Sequence, residues 1–574
     1  MSSSKSVLNP QQREAALSAL ATAQFDVLVI GGGVTGAGIA LDAASRGLRV
    51  ALVEANDLAA GTSSRSSKLI HGGLRYLEQY DFKLVREALQ ERELMVTTQA
   101  PHLVKPVAFL YPLHDKVRER TYVGAGLALY DALRGFQRAL PNHKHLSQKR
   151  IHEIAPSLRT DIVTGGIQYF DAQVDDARHT MMIARTAALY GAVITTQVSC
   201  ESLIREGKKV VGAQVLDKTT GRSISVSASV TIMAGGVWSD ALHEKFGIVS
   251  GYQVRMSKGT HIVVPKSAIK SKSGIILKTA VSVLFIIPWA DKWIVGTTDT
   301  DYTGDRGEPL ATKEDVDYIL EQANKVLTPT LKPSDVLGVF AGLRPLVSKS
   351  TTSATTKLSR EHAVDHPVQG FVSIAGGKYT TYRVMAEDAV DHAAPDLHRI
   401  VQKSCTKEIP ILGATGYQTF VNRADLIGEE MGLSKLQVIR LLDRYGSEIE
   451  DLAELIKEDP SRRNLLAEGM PYLKVEIYYA ASHEGAMSIA DVIARRTRIS
   501  FETADHGVSV AADVAKIIAP ILDWSAADKR KSIAAYQLQV AAEKTSVERY
   551  HQESAANSSD PSDPSKSFEK VSVK

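Results

Sequence analysis

This sequence predicts an α/β fold with an antiparallel sheet inserted into it and an all-helical unit at its end. Three patterns predict it. Residues 25–54 run strand, glycine turn, helix, strand. Residues 251–346 are rich in short apolar strands with one helix, and beyond Leu397 apolar residues recur only at helical spacing. The chain has 574 residues, too many for one compact core, so two or three domains are expected.

Taken in order, Asn9 and Pro10 read as a helix cap and first turn, opening a short helix in QQREAALSALATAQ. Residues 1–24 lack the apolar core of a signal peptide, so no export is implied. The apolar run Phe25 to Ile30 then passes directly into Gly31, Gly33 and Gly36, the G-x-G-x-x-G pattern between a strand and a helix. Gly31 permits the tight turn, Gly33 leaves room for a pyrophosphate against the backbone, and Gly36 lets the helix pack on the strand. The helix N-terminus offers N–H groups and positive dipole to the phosphates.

A second apolar run from Arg49 to Val53 ends in Glu54, where a carboxylate accepts from ribose hydroxyls and disfavours a 2′-phosphate, hence NADP. A glycine fingerprint alone is often only a turn. Here strand, glycines, helix, second strand and acid occur together, which predicts a Rossmann-like domain holding a dinucleotide. The stretch that follows, GTSSRSSKLIHGGLRYL, is dense in hydroxyls and glycines and suits a loop lying along a bound cofactor. Its candidate cofactor contacts are Thr62, Ser63, Ser66, Ser67, Gly72, Gly73 and Leu74.

At this point the sequence resembles the FAD-dependent glycerol-3-phosphate dehydrogenases, in IGGGVTGAGIALDAASRGL and in the longer and more specific SSKLIHGGLRYLEQYDFKLVREAL. The resemblance spans roughly residues 20 to 520. It implies non-covalent FAD and oxidation of sn-glycerol 3-phosphate to dihydroxyacetone phosphate, with electrons passed to a membrane quinone. It further implies an enzyme held peripherally on the cytoplasmic face of the plasma membrane, or one in the cytoplasm. A homodimer is the expected assembly.

Phe82 to Thr98 reads as a helix with Leu84, Ala88 and Met95 on one side and Arg86, Glu87 and Glu91 elsewhere; Pro101 stops it. Residues 102–150 carry Arg118, Arg120, Arg134, Arg138, Lys144, Lys149 and Arg150 beside His143 and His145, the first candidate for contact with an anionic lipid surface. A turn-rich stretch leads to a helix from about Asp176 to Tyr190 and a strand at Val193 to Ser199. The resemblance places Val198 against the adenine. It also returns the chain beside the cofactor at Ala234, Gly235 and Gly236, where AGG stands for the family's ATG. The strands from Gly251 to about Leu346, with a helix at Lys313 to Leu327, look like an inserted substrate domain. VSIAGGKYTTYRVMAEDAV then restores strand, Gly376-Gly377 turn and helix.

The expected division is therefore an N-terminal helical extension at 1–24, and an FAD-binding domain at 25–100, 160–250 and 347–397. A substrate domain follows at 101–159 and 251–346, a helical domain at 398–550, and a tail at 551–574. In the helical domain Leu436, Ile439, Leu442 and Tyr445 stand at helical spacing. The tail is Ser/Asp/Pro-rich with almost no large apolar groups, which predicts disorder.

Composition excludes several classes. A formal net charge of +3 gives no general case for nucleic-acid binding. Two isolated cysteines, Cys200 and Cys405, support neither a disulfide framework nor a zinc site, and no EF-hand loop or other metal motif is present. The greasiest run, at 281–289, is far too short to span a bilayer.

The implied reaction makes three demands. The phosphate needs fixed cations, for which Arg75, Arg344 and Arg360 stand in GGLRYL, FAGLRPLV and KLSREHAV, motif positions of the family; Tyr76 and Thr298 are candidate hydrogen-bond donors. The hydroxyl needs a proton acceptor: His261 in KGTHIVV sits where the family places a substrate-facing histidine, with His71 as competitor. The reduced flavin needs positive charge, which the helix opened by Gly376 and Gly377 offers; Lys378 serves either flavin or substrate. Two other functions fit this sequence: an oxidase passing electrons to O2, and a catalytically idle flavoprotein used as a binding module.

Overall fold

The computed structural model describes residues 4–135, 139–279, 283–348 and 361–558, with the backbone alone of Ser4, of Arg75 and of residues 544–558. Arg138 and Arg360 lie outside the described residues.

The sheet that begins the chain has the order His362–Val368, Phe371–Gly376, Ser223–Met233, Gln24–Ile30, Val50–Glu54, Val193–Thr196. Its central pairings are parallel. The strand Gln24–Ile30 is buried at every position after the first, as a strand covered on both faces must be. The helices Val34–Ser45, Asp176–Leu189 and Tyr382–Ala393 cover one face through a core including Val27, Val29, Ile39, Ile183 and Ala386. The other face packs on Leu17 and Leu20 of the helix Pro10–Thr22, so that helix is a layer of this domain rather than an extension beside it. Its cap is as expected, Asn9 Oδ1 accepting the Gln12 N–H at 2.8 Å. The expected strand 193–199 is two strands: the backbone turns at Gln197 (φ 58°) from Val193–Thr196 into the hairpin strand Val198–Glu206.

A second, ten-stranded sheet runs Thr300–Asp301, Gln253–Pro265, Lys292–Gly296, Val283–Trp289, Gly274–Lys278, Lys105–Leu113, Gly165–Gln173, Leu69–Ile70. Gly338–Ser348 and Lys144–Ser147 complete it. All pairings are antiparallel except Gly274–Lys278 with Lys105–Leu113. The boundary expected at residue 160 falls elsewhere: Gly165–Gln173 pairs along its whole length with Lys105–Leu113, so both it and Leu69–Ile70 belong to the second sheet. Ile167 and Tyr169, two residues apart, are buried in that sheet's own core, while Ala172 on the opposite face packs into the core beneath the first sheet, a pattern that composition had masked as a turn-rich stretch.

Beyond residue 398 the described chain is helical around two cores, one on Leu441, Leu442 and Tyr445, the other on Ile477, Ile489 and Val514. Leu436, expected on the apolar face, is 81% exposed. The last helix runs Ala526–Ser558, so residues 551–558 are helical where disorder was expected; the rest of the tail lies outside the described residues.

Candidate active site

The two sheets enclose a cavity of about 620 Å3. Its floor is the first glycine turn, and its far wall comes from the strands carrying His261 and Arg344.

At the nucleotide end the local geometry follows from backbone sterics. Gly31 has φ +112°, and a Cβ there would sit 2.5 Å from the Ala234 carbonyl oxygen; a Cβ on Gly36 would overlap the Gly31 oxygen. No larger residue closes this turn. Glu54, at the tip of its strand, accepts the Gly32 N–H at 2.6 Å and the Asn56 N–H at 2.7 Å. Burial nonetheless raises its pKa, which those two donors counter. Val198, Ala234 and Gly236 line the same cavity. One helix donor is already taken, because Ser63 Oγ accepts the Val34 N–H at 2.9 Å.

The loop after Glu54 does more joining than expected. Thr62 donates to Leu343 O at 2.7 Å, tying the first domain to the second, while Thr62, Ser63, Ser66 and Ser67 all line the cavity. Gly36, Gly72, Gly73 and Leu74, also expected beside the cofactor, do not line it. The Gly72 N–H goes to the Tyr130 hydroxyl at 2.9 Å, and Leu74 packs among apolar side chains.

At the other end, His261 and Arg344 lie on neighbouring antiparallel strands, in a register that sets Ser257 opposite Arg344 and Phe340 opposite His261. His261 Nε2 is 2.8 Å from Ser67 Oγ, and its ring stacks on Phe340 at 4.8 Å. Burial first, then the positive charges of Arg344 and Lys68, hold its pKa well below the ordinary histidine value, so the imidazole is neutral. The Arg344 guanidinium donates to Thr297 Oγ1 at 3.0 Å and Thr298 O at 3.2 Å, with Asp299 Oδ1 3.6 Å away. Thr298 therefore acts differently from the expectation. Its hydroxyl accepts the Thr260 N–H at 3.0 Å, its carbonyl fixes Arg344, and it does not line the cavity. Lys378 follows the turn in which Gly376 and Gly377 have φ near +80°, and its Nζ lies 3.8 Å over the Tyr76 ring. His71 and Tyr76 line the cavity too. Arg75 lies in the turn Leu74–Leu77.

Sequence reasoning missed Ser257 and Asp299, which hold Arg344, and the buried set Lys68, Asp176 and Arg498 behind the loop. Lys68 lay in the hydroxyl-rich loop and Asp176 at the start of an expected helix, neither with a role assigned. The rest become partners through pairings far apart in the chain.

These residues fit FAD. The cavity has a glycine cradle that no Cβ can enter, a carboxylate at the second strand tip, and cations at the opposite end. Residues 26–383 match the family described as FAD dependent oxidoreductase, and residues 404–529 match the C-terminal domain of alpha-glycerophosphate oxidase. The chain is 51% identical over 536 residues to glycerol-3-phosphate dehydrogenase 2 of Mycobacterium bovis, covering 93% of this chain and 91% of that one. It is 50% identical to glycerol-3-phosphate dehydrogenase of Mycobacterium leprae, covering 94% and 92%. It is similar to the crystal structure of the Bacillus halodurans glycerol-3-phosphate dehydrogenase complexed with FAD, with TM-score 0.76, 31% identity, and 93% and 97% of the two chains covered. This chain belongs to the FAD-dependent glycerol-3-phosphate dehydrogenase family.

Proposed function

We propose that the protein oxidises sn-glycerol 3-phosphate to dihydroxyacetone phosphate and passes the electrons to a membrane quinone. The observation that carries this reading is the placement of a neutral imidazole and a fixed guanidinium, His261 and Arg344, on adjacent strands at one end of the FAD cavity. FAD, when bound non-covalently there, supplies the acceptor for the hydride leaving C2.

The chain's own residues do the rest. Arg344, held flat by Thr297 and Thr298, presents its fork to the substrate phosphate, with Arg75 and Arg360 as further phosphate ligands. Ser67 Oγ lies on the cavity wall 2.8 Å from His261 Nε2, placed to pass the C2 hydroxyl proton to that nitrogen. Lys378 adds positive charge at the same end, where negative charge develops.

No helix among the described residues is long and apolar enough to cross a membrane. Peripheral docking on anionic lipid at the inner face of the plasma membrane is supported by the helix Arg118–Leu133. Its outer face exposes Tyr122 and Leu129 next to Val117, with Lys116 and Arg118 beside them.

Anaerobic addition of glycerol 3-phosphate to the purified holoprotein is expected to bleach the flavin absorbance, and an unchanged spectrum overturns the reading. His261→Ala is expected to slow that bleaching by about 10^2- to 10^4-fold. The match to an alpha-glycerophosphate oxidase domain favours one second reading, O2 as acceptor; stoichiometric peroxide release in air would establish it.

A further inference from the structure

We propose that Asp176 and Arg498 are positioning residues for this oxidation, through which the C-terminal helical unit holds both segments that carry the reacting groups. The inference rests on the cavity reading given above. Asp176 opens the helix Asp176–Leu189 and is fully buried. Its Oδ2 accepts the Ser66 N–H at 2.9 Å and the Ser66 hydroxyl at 2.6 Å. Lys68 Nζ lies 3.0 Å from Oδ1 and also donates to Ser64 O at 3.1 Å. These bonds wrap residues 64–68 around one carboxylate, and a hydroxyl within that segment, Ser67, is the one that meets His261. The backbone of Asp176 holds the other segment: its carbonyl accepts the Tyr379 hydroxyl at 2.7 Å, one residue after Lys378. A single residue thus fixes the partner of the proton acceptor and the turn bearing the cation.

A carboxylate this deep is retained only if its charge is matched and its oxygens are bonded. Lys68 is one partner, and Arg498, from the helical unit, is the other. The Arg498 guanidinium bonds Asp176, lies 2.7 Å from Asp175 Oδ1 and donates to Ser64 O at 3.3 Å. Its own backbone N–H is tied to the Tyr472 hydroxyl at 3.1 Å. Neither Arg498 nor Asp176 lines the cavity, so both act on the chemistry only through the segments they hold.

Two holoprotein variants test this. Ser66→Ala removes the hydroxyl's bond to Asp176 and the acceptor of the Lys68 N–H at 3.0 Å, and leaves every buried charge matched; Arg498→Lys keeps the charge and loses the fork. In both, kcat per bound FAD is expected to fall about tenfold or more while KM for glycerol 3-phosphate moves less than about threefold, the cost of a small misplacement. Amide hydrogen exchange across residues 61–70 is expected to quicken about tenfold, while the first glycine turn and its helix exchange as before. Should Arg498→Lys fail to fold, Ser66→Ala decides alone. The proposal is overturned if kcat per flavin stays within about twofold, or if it falls with exchange at 61–70 unchanged. A parent protein whose flavin is not bleached by glycerol 3-phosphate defeats the functional reading instead, and leaves the exchange comparison intact.

Discussion

Arg344 shows what a single residue's neighbours reveal that its motif does not. The motif marks an arginine for phosphate; the structure shows how its plane is fixed, by Ser257 Oγ on the neighbouring strand and by Thr297 Oγ1 and Thr298 O in the segment after Lys292–Gly296. A lysine at this position keeps one charge and loses the planar fork, so part of the charge-assisted bonding to phosphate goes with it. Arg344→Lys is therefore expected to cost about 1.5–3 kcal/mol of substrate binding, raising KM roughly ten- to a hundredfold. Steady-state kinetics check this, and an unchanged KM places the phosphate elsewhere. At this scale Gly31, Gly36 and Glu54 were marked by a local steric or chemical signature, whereas His261 was marked only by the family resemblance. Thr298 was read as a donor to substrate, yet its hydroxyl accepts a backbone N–H, a partner set by strand register and invisible in composition.

Elements were legible where period and caps agreed, and misread where period alone was used. Leu436, Ile439, Leu442 and Tyr445 are spaced by three, and three residues turn only about 300°, so the row slips back about 60° at each step. Over three steps Leu436 ends opposite Tyr445, and it is exposed while Leu442 is buried. The buried set is Val438, Leu441, Leu442 and Tyr445, the i, i+3, i+4, i+7 face. Leu442→Ala is expected to destabilise the helical unit by about 2–5 kcal/mol. Leu436→Ala is expected to change stability by less than about 0.5 kcal/mol. Urea denaturation followed by helical circular dichroism separates the two, and equal midpoints would contradict the assigned face. Glu91 is a similar case. Placed by sequence away from the apolar side of its helix, it is buried against Arg383 at 2.7 Å, a charge whose partner lies 292 residues away.

Across the whole molecule, the division into two sheets and a helical unit could be read from pattern, but the joints between them could not. Arg178 meets Glu484 at 2.8 Å, Arg185 meets Glu448 at 2.7 Å and Arg496 meets Asp57 at 2.7 Å, all buried. No local period encodes such pairs. The same burial makes the assembly sensitive to acid. His102 is pushed down to about 3 by burial and then by Lys105, and His179 to about 4 by burial, which Asp176 and Asp175 only partly offset. Both folded values lie below the ordinary 6.5, so between that pH and about 4 the unfolded chain binds protons that the folded chain refuses. Stability contributed by the neutral rings is thus fully present above 6.5 and is lost as pH falls beneath it. The melting temperature is expected to be level from about pH 8 to 7 and to fall steadily towards pH 4, by a loss on the order of a few kcal/mol. His102→Leu removes one of the buried histidines that must charge, a set that also includes His179, His261 and His483, so its melting temperature is expected to fall less than the parent's between pH 7 and pH 5. Calorimetric melts at those two pH values decide it, and an equal fall in both proteins places the acid sensitivity in the carboxylates of the ion pairs instead.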